Sequence, residues 1–361
     1  MIMQLAALRD IYEAPSPFAT VYLQALPASP DAEHEIRLRW DELRGQLADA
    51  GTDAEALAAL DGAVLTENIT AVQTEGRVLV ANRDGLLLEE DFDATRDGGD
   101  RAVLGELPAL GDYLRQRVRS VRALVVLADK ERASVRREVF TSAAVLDSGR
   151  VSEVEGSAIE GVSKPREGAL HHRRIQQRAD EAAWLNIRDI AEQVRRTAAR
   201  WKPEAVMVAG EVQGRKMLLE ELSPEFRESA HEVEAGGGIP SGTGDESAEE
   251  SLQEALRSAA RKITLERAKA QTEQFGSAQA NGLAVEGAEN VRRAATLGAI
   301  DTLLLRYDQD AEAEDELLRS ATLIDANVAL VGTSVSGNVA AVLRYEAPVD
   351  QMDVKSQAAH S

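Results

Sequence analysis

The chain of 361 residues contains no cysteine, only five histidines, and 4% aromatic residues. The absence of cysteine excludes disulfides and thiolate metal ligands, and it is typical of a reducing compartment. A zinc site would need scattered carboxylates beside the few histidines, so we expect no metal and no cofactor. No run of about 18 apolar residues is present, which argues against a membrane span. The first nine residues lack a charged leader with a long apolar core, so we expect no signal peptide and a cytoplasmic protein.

Acidic residues outnumber basic ones, and the net charge is −21. The excess is uneven: residues 1–112 carry −14, residues 113–238 carry +2, and residues 239–361 carry −9. An acidic surface that only keeps the protein soluble is one interpretation of the total. The positive net charge of residues 113–238 favours a second interpretation, in which a local basic surface contacts phosphates. The acidic remainder of the chain would then limit indiscriminate binding to RNA.

Residues 162–202 contain a basic loop that leads into one long predicted helix. Pro165 and Gly168 interrupt regular structure in the loop, and no glycine or proline then occurs before Pro203. The second half of the helix has apolar residues at three- and four-residue spacing, which predicts a core-facing stripe: Ala183, Ile187, Ile190, Val194, Ala198 and Trp201. The first half has a weak apolar face and several basic groups, which favours projection toward a polyanion. The residues expected there at an RNA interface are Lys164, Pro165, Arg166, Glu167, Gly168, His171, His172, Arg173, Arg174 and Arg178.

This arrangement resembles the middle domain of the archaeo-eukaryotic release factor and Pelota superfamily. In true release factors the loop before the long helix carries Gly-Gly-Gln followed by Ser-Ala-Leu-Arg. Here Gly168-Ala169-Leu170-His171 is similar to the second part, and Pro165-Arg166-Glu167 stands where the catalytic triplet would be. The resemblance therefore implies the helix of the family without its hydrolytic motif. Gln176 and Gln177 lie inside the helix, where they cannot replace a flexible glycine tip.

Two or three domains are expected, because the chain exceeds the usual size of a single core, and the order of the predicted elements divides it into three. In residues 1–120 we predict a strand at 18–23, a helix that opens at 29–31 and runs to about 50, a helix at 53–64, and a hairpin of 77–81 with 86–90 around an Asp-Gly turn. In residues 121–238 we predict strands at 122–127 and 133–140, the long helix, a buried strand at 205–210, a helix at 213–222 and an edge strand at 231–234. We find none of the motifs with which eukaryotic release factors read stop codons.

The third predicted domain covers residues 239–345 and is followed by a polar tail, 346–361. It begins with a helix at 245–274, broken by glycines at 276–282. Helices at 287–298 and 313–323 then alternate with strands at 301–306, 327–331 and 340–344. The stretch 289–305 resembles the closing domain of the family, which has an L7Ae/L30e-like fold, and Gly298 is expected as a left-handed helix stop. The fold class predicted for the chain is α+β multidomain, with release-factor/Pelota-like architecture.

Several weaker candidate sites have ordinary explanations. The glycines at 236–244 lack the lysine of a phosphate-binding loop and are predicted to be a linker. The stretch 332–337 misses the nucleophile-elbow spacing and is predicted to be a loop between strands. His171 and His172 are adjacent and point in different directions on a helix, so they are solvated residues or RNA contacts rather than a metal site. A second arginine series is either a solvated hinge or a secondary RNA contact: Arg115, Arg117, Arg119 and Arg122.

Among bacterial members, the order of domains is similar to the Balon type of ribosome hibernation factor. That resemblance implies a stress-response protein that occupies the vacant A site of the 70S ribosome, contacts 23S and 16S rRNA, and acts with elongation factor Tu. It implies no membrane and no small-molecule substrate. Two alternatives remain open at this point. One is a divergent peptidyl-tRNA hydrolase or tRNA nuclease of the rescue type that uses Glu167 or Gln176; the other is a Pelota-like adaptor in RNA surveillance.

Overall fold

The computed structural model describes residues 3–24, 31–65, 76–92, 99–128, 132–141, 145–147, 152–155, 169–234, 246–332 and 334–348. It contains helices and three separate sheets, which confirms the mixed α+β class. The chain forms two compact units. One combines Met1–Arg119 with Leu265–Ser361, and the other is Ser120–Thr264. Along the described ranges, no helix has the length and apolar character that a membrane crossing requires.

The N-terminal part of the first unit contains the first ten labelled elements. They are β1 Met3–Gln4, a 3-10 turn Leu5–Leu8, α1 Arg9–Glu13, β2 Phe18–Leu23, α2 Ala32–Asp49, α3 Ala54–Val64, β3 Arg77–Asn82, β4 Gly85–Asp91, β5 Arg101–Gly105 and α4 Gly111–Arg119. The predicted strand, the two helices and the hairpin are confirmed. The elements β1, α1, β5 and α4 were not predicted.

The first sheet has the antiparallel order β4-β3-β2-β5, and its central strands β3 and β2 are buried on both faces. On β2, Ala19, Val21 and Leu23 pack with α2 and α3, around Trp40. Phe18 and Tyr22 point to the other face and join a second core. This two-sided burial explains why the Phe18–Leu23 sequence is nearly all apolar, since a strand with one solvated face would alternate.

The second unit contains the middle sheet and the long helix. Its elements are β6 Val121–Ala128, β7 Arg132–Phe140, β8 Val145–Asp147, β9 Ser152–Glu155, α5 Ala169–Trp201, β10 Ala205–Gly210, α6 Val212–Glu221, α7 Pro224–Glu228, β11 Ala230–Glu232 and the beginning of α8 Glu246–Ala280. The sheet order is β11-β10-β6-β7-β8, with β9 also paired to β7. The nearly all-apolar β6 is thus a central strand, and the predicted edge position of β11 is confirmed. The linker expected at 236–244 lies outside the described residues.

Helices cover both faces of the middle sheet. Leu124 and Val126 of β6 pack against the apolar stripe of α5. Val125 and Leu127 point the other way and pack against Leu252, Leu256, Ala260 and Ile263 of α8. By its contacts, the first part of α8 thus belongs with the middle sheet, so the second unit extends to Thr264, whereas a boundary at 238/239 was expected from the sequence. The glycine signal that suggested the boundary lies before the helix and carries no information about where the helix packs.

The last sheet belongs to the first unit. Its further elements are β12 Ala284–Glu286, α9 Ala288–Thr296, β13 Ile300–Arg306, α10 Glu314–Leu323, β14 Asn327–Val331, a 3-10 turn Ser336–Asn338 and β15 Val339–Leu343. The predicted helices and strands are confirmed, and so is Gly298 as a helix stop with φ +66°. The helix predicted to end at 274 continues through Gly276 to Ala280. The loop predicted at 332–337 is confirmed, with Thr333 outside the described residues.

The strand order of the last sheet is β1-β14-β13-β15-β12. Its edge strand β1 comes from the start of the chain: Met3 pairs with Val328, and Gln4 pairs with Asn327. Leu5 continues the connection, because its amide donates to the Ala326 carbonyl at 3.2 Å. One apolar core therefore contains Leu5, Tyr22, Leu114, Leu303 and Leu317, drawn from both ends of the sequence. The L7Ae/L30e-like identity of this part stays a prediction.

Candidate nucleic-acid interface

The long helix α5 is the element on which the predicted interface depends. It spans 33 residues, which is about 50 Å at 1.5 Å per residue. Ala183, Ile187, Ile190, Val194 and Ala198 are buried, and Trp201 is partly buried beside them. The predicted core-facing stripe is confirmed, and it begins about 20 Å after the start of the helix.

The predicted basic residues lie before this stripe. Lys164, Pro165, Arg166, Glu167 and Gly168 fall outside the described residues. Positions 171, 172, 173, 174 and 178 lie on the described backbone of α5, and the contacts of their side chains are not described. Their assignment to an RNA interface therefore stays a prediction.

The helical repeat nevertheless separates these positions by face. At about 100° per residue, positions 171, 174 and 178 lie on the side of α5 opposite the buried stripe. Position 172 lies on the same side as the stripe, and position 173 lies at the edge of that side. Of the adjacent histidines, position 171 is thus placed with the basic face and position 172 with the apolar one.

The second half of α5 also presents a basic side, which was not predicted from the sequence. Arg195 and Arg196 are exposed and donate to Glu192, at 2.7 and 2.9 Å. These hydrogen bonds lower the pKa of Glu192 to about 2. Arg188 lies 3.3 Å from Glu221 of α6, and both side chains are accessible to solvent. Such exposed pairs contribute little to stability, so their arginines remain available to an external anion.

Two large apolar side chains interrupt this basic side. Trp184 is 36% exposed and Leu185 is 51% exposed, although both lie next to the first residue of the buried stripe. Their exposure could have been predicted from the sequence, because neither residue follows the 3.6-residue spacing of the buried stripe. An exposed tryptophan is unusual in a chain with three in total.

The second arginine series does not form one surface. Arg115 is 4% exposed and donates to both carboxylate oxygens of Glu314, at 2.8 and 2.6 Å. It also donates to the carbonyls of Arg306 and Gln309. The prediction of Arg115 as a hinge residue or RNA contact is therefore wrong, because its guanidinium is buried and its donors are used inside the first unit.

The other members of the series differ from Arg115 and from one another. Arg119 donates to the Arg115 carbonyl at 3.2 Å. Arg122 belongs to the second unit, where its guanidinium lies 4.9 Å from the centre of the Trp201 ring. Arg117 is half-buried at the end of α4. A role for Arg117, Arg119 and Arg122 in RNA contact stays a prediction.

A cavity of about 520 Å³ adjoins the Arg115–Glu314 pair. Asp315, in its wall, accepts no hydrogen bond from the described residues. Burial, and then the nearby charges of Glu314, Asp310 and Asp112, raise the pKa of Asp315 to about 6. No cluster of three or more potential metal ligands occurs in the part of the chain that the structure describes.

The junction of β10 with α6 requires a glycine. Gly210 closes the strand with φ +106°, and a Cβ there would lie 2.4 Å from the Ala128 carbonyl oxygen of β6. Only glycine allows this approach of two parallel strands. The Gly210 carbonyl then accepts a hydrogen bond from the buried Arg215 at 2.8 Å.

Comparison with known proteins gives a family match to the part of the chain that contains α5. Residues 122–281 match the family described as Bacterial archaeo-eukaryotic release factor family 2. The chain is also 26% identical over 341 residues to Uncharacterized protein Rv2629 of Mycobacterium tuberculosis strain H37Rv, an alignment that covers 90% of this chain and 84% of the relative. Uncharacterized protein MT2704 of strain CDC 1551 matches with the same values.

Solved structures give a looser likeness. The archaeal translation termination factor aRF1 is 17% identical over 94% of this chain and 97% of its own, with a TM-score of 0.26. A model of ribosome-bound archaeal Pelota and ABCE1 is 15% identical over 94% of both chains, with a TM-score of 0.43. The part of the chain that contains α5 and most of the middle sheet, residues 122–281, is therefore similar to a bacterial family of archaeo-eukaryotic release factors.

Proposed function

We propose that the protein is a non-catalytic ribosome-binding factor that occupies the vacant A site and blocks translation under stress. The observation that carries this proposal is α5, which lies inside the region matching a release factor family. Its second half is anchored by a buried stripe, and positions 171, 174 and 178 of its first half lie on the opposite side. A helix fixed at one end and basic at the other is suited to reach rRNA phosphates.

The finer parts of the proposal follow from the family resemblance. The N-terminal part would lie near the decoding centre on 16S rRNA, and the basic arm would reach the peptidyl transferase centre of 23S rRNA. The closing part would face a translational GTPase, for which elongation factor Tu is the partner we propose. These assignments describe ribosome hibernation rather than termination.

Sedimentation of ribosomes tests this proposal. In lysates of stationary or stressed cells, we expect the protein to migrate with 70S ribosomes, together with elongation factor Tu. Binding should weaken steeply with salt, since phosphate contacts release counterions. A protein that remains at the top of the gradient under every stress tested would not be a ribosome-binding factor. Comigration without elongation factor Tu would contradict only the proposed partner.

A peptide-release assay tests the non-catalytic part. Pro165-Arg166-Glu167 lacks the two glycines that give a release-factor tip its conformational freedom, so we expect no hydrolysis of peptidyl-tRNA in programmed ribosomes at any codon. A release factor from the same organism serves as the positive control. Release at a comparable rate, lost in Glu167→Ala or Gln176→Ala, would instead support the hydrolase alternative.

A further inference from the structure

The cavity beside the Arg115–Glu314 pair is lined by more carboxylates than cations. Its two arginines are Arg101 and Arg115, and its six acids are Glu106, Asp112, Asp310, Glu314, Asp315 and Glu316. All of them belong to the first unit, where they lie on β5, α4, α10 and the adjoining loops. Two guanidinium groups are too few to pair with every carboxylate, so at least one acid has to remain without a cation.

Both arginines of the cavity are engaged by other carboxylates. Arg115 donates to both carboxylate oxygens of Glu314, and its Nη1 lies 3.0 Å from Oδ1 of Asp310. Arg101 donates to Oδ2 of Asp112 at 2.5 Å. The positive charges are therefore used by three acids, and Asp315 is not among them.

Asp315 is a half-buried carboxylate in the first turn of α10. It forms no hydrogen bond or ion pair within the part of the chain that the structure describes. The buried hydroxyl of Tyr12 likewise has no hydrogen-bond partner there. Glu316 has a cation of its own, since it lies 3.6 Å from Arg292. A negative charge at Asp315 thus lies beside like charges, and the favourable effect of the helix N-terminus is modest.

We infer that Asp315 is a proton-sensitive element of the first unit, whose carboxyl takes up a proton in mildly acidic conditions and so stabilises the packing of α10 against α4. Protonation removes the repulsion between Asp315 and its acidic neighbours, and it leaves the Arg115–Glu314 pair intact. Burial, and then the charges of Glu314, Asp310 and Asp112, accordingly raise the pKa of Asp315 to about 6.

The two tyrosines near the cavity stay neutral in this range of pH. Burial, and then the charge of Asp315, raises the pKa of Tyr12. Burial also raises the pKa of Tyr22, whose hydroxyl donates to the Ala109 carbonyl at 2.6 Å. Neither hydroxyl can therefore exchange the proton in place of Asp315.

The direction of the pH dependence follows from the raised pKa of Asp315. An aspartate in the unfolded chain has a pKa of about 3.9, so between about pH 4 and pH 6 the folded state holds a proton that the unfolded state has released. The stability that this proton contributes is complete below about pH 4, and it is lost as the pH rises through about 6. For a carboxyl that is only half-buried, we expect a loss of roughly tenfold in the folding equilibrium constant. The inference does not rest on the proposed function.

Thermal unfolding of the full-length protein at about pH 5 and about pH 7.5 tests this inference. In a Trp184→Phe, Trp201→Phe background, Trp40 is the remaining tryptophan, and it reports the first unit because it is buried there. We expect Asp315→Asn to raise the midpoint temperature by roughly 3–6 °C at the higher pH, because the amide carries no charge. At the lower pH the gain should fall to about half or less, since most of the parent carboxyl is then protonated.

Two further variants separate Asp315 from the other acids. Glu312→Gln is the matched control, because Glu312 is an exposed carboxylate in the turn before α10. It should shift the midpoint temperature by less than about 1 °C at either pH. Asp310→Asn removes one repelling charge, so the parent's dependence on pH should become weaker. In a magnetic resonance titration, the carboxyl signal that is lost in Asp315→Asn should have its midpoint at about 6 in the parent.

Three results would overturn the inference. The first is an equal gain from Asp315→Asn at both pH values, because the carboxyl would then exchange no proton in this range. The second is a loss of stability in Asp315→Asn at about pH 7.5, because the anion would then have a favourable partner. The third is an Asp315 signal that titrates at about 3.9 in the folded parent, which is decisive even if the variant fails to fold. Sedimentation with ribosomes tests the proposed function alone.

Discussion

At the scale of single residues, Arg115 shows how a buried ion pair can organise one place in the fold. Its guanidinium is satisfied by Glu314, which is 199 residues away in the sequence, and by two main-chain carbonyls. Removing one partner of such a pair leaves a buried charge, which is far more costly than the net contribution of the pair. The alternation of Arg115, Arg117 and Arg119 could not reveal this, because the sequence does not show which arginine meets a distant carboxylate.

The substitution Gly111→Ala tests the buried Arg115–Glu314 pair, because it adds a single methyl group beside it. A Cβ at Gly111 would lie 2.0 Å from Oε1 of Glu314 and 3.0 Å from Arg115. We expect Gly111→Ala to lower the free energy of unfolding by about 1–3 kcal/mol, because the ion pair must shift. Denaturant unfolding measures the change.

Gly62 is the matched control, because it lies inside α3 and a Cβ added there would meet no atom within 4 Å. Gly62→Ala should raise the free energy of unfolding by about 0.5–1 kcal/mol, through reduced freedom of the unfolded chain and better helix propensity. Equal changes in the free energy of unfolding for the two substitutions would mean that the Arg115–Glu314 pair can move away from the new methyl group without loss of stability.

At the scale of elements, the sequence predicted those with a strong period or a long apolar run. The stripe of α5, the run of β6 and the Asp-Gly hairpin carry local signals that tertiary structure did not override. The missed strands β1, β5, β8, β9 and β12 have two to five residues, too few to show a period. The end of α8 was predicted too early, since Gly276 meets open space in a helix already held by packing at Phe275 and Ala278.

The basic arm of α5 is tested by removing its charge. The triple variant Arg166→Ala, Arg173→Ala, Arg174→Ala should bind ribosomes more weakly, with the salt dependence flattened by up to about three counterions. Stability should change by no more than about 0.5 kcal/mol per site, as for exposed substitutions. Sedimentation at a series of salt concentrations measures both the affinity and the slope.

A charge-matched variant with Arg37→Ala, Arg261→Ala and Arg292→Ala provides the control. These three arginines are exposed and lie outside α5. If both triple variants lose affinity equally, total charge rather than the arm governs binding. If the arm variant binds ribosomes with unchanged affinity and unchanged salt dependence, the first half of α5 is a solvated helix that does not contact rRNA.

At the scale of the whole molecule, the first unit has one core built from distant parts of the sequence. Leu5 is fully buried in it beside residues of both the first and the last sheet. We expect Leu5→Ala to lower the free energy of unfolding by about 2–5 kcal/mol. Hydrogen exchange should then rise in residues 76–92 and in residues 300–343 together, because both ranges share this core.

Ile187→Ala is the corresponding change in the second unit, where Ile187 is fully buried against the middle sheet. It should raise exchange in residues 121–128 and 205–210. A rise confined to one sheet after Leu5→Ala would show that the shared core does not couple the first sheet to the last. The division of the chain into two units could not be predicted, because no local signal indicates that β1 pairs with a strand as distant in the sequence as β14.

The pairing of β1 with β14 also sets an order for folding during synthesis. Chains emerge from the N-terminus and domains generally fold as units as they appear. One face of the first sheet can pack at once against α2 and α3, around Trp40, but its opposite face has to wait for Leu303 and Val328. The second unit, complete by Thr264, can fold in the interval. Until the last strands emerge, this face of the first sheet therefore lacks the part of its cover that Leu303 and Val328 supply, and it is a surface on which a chaperone could act.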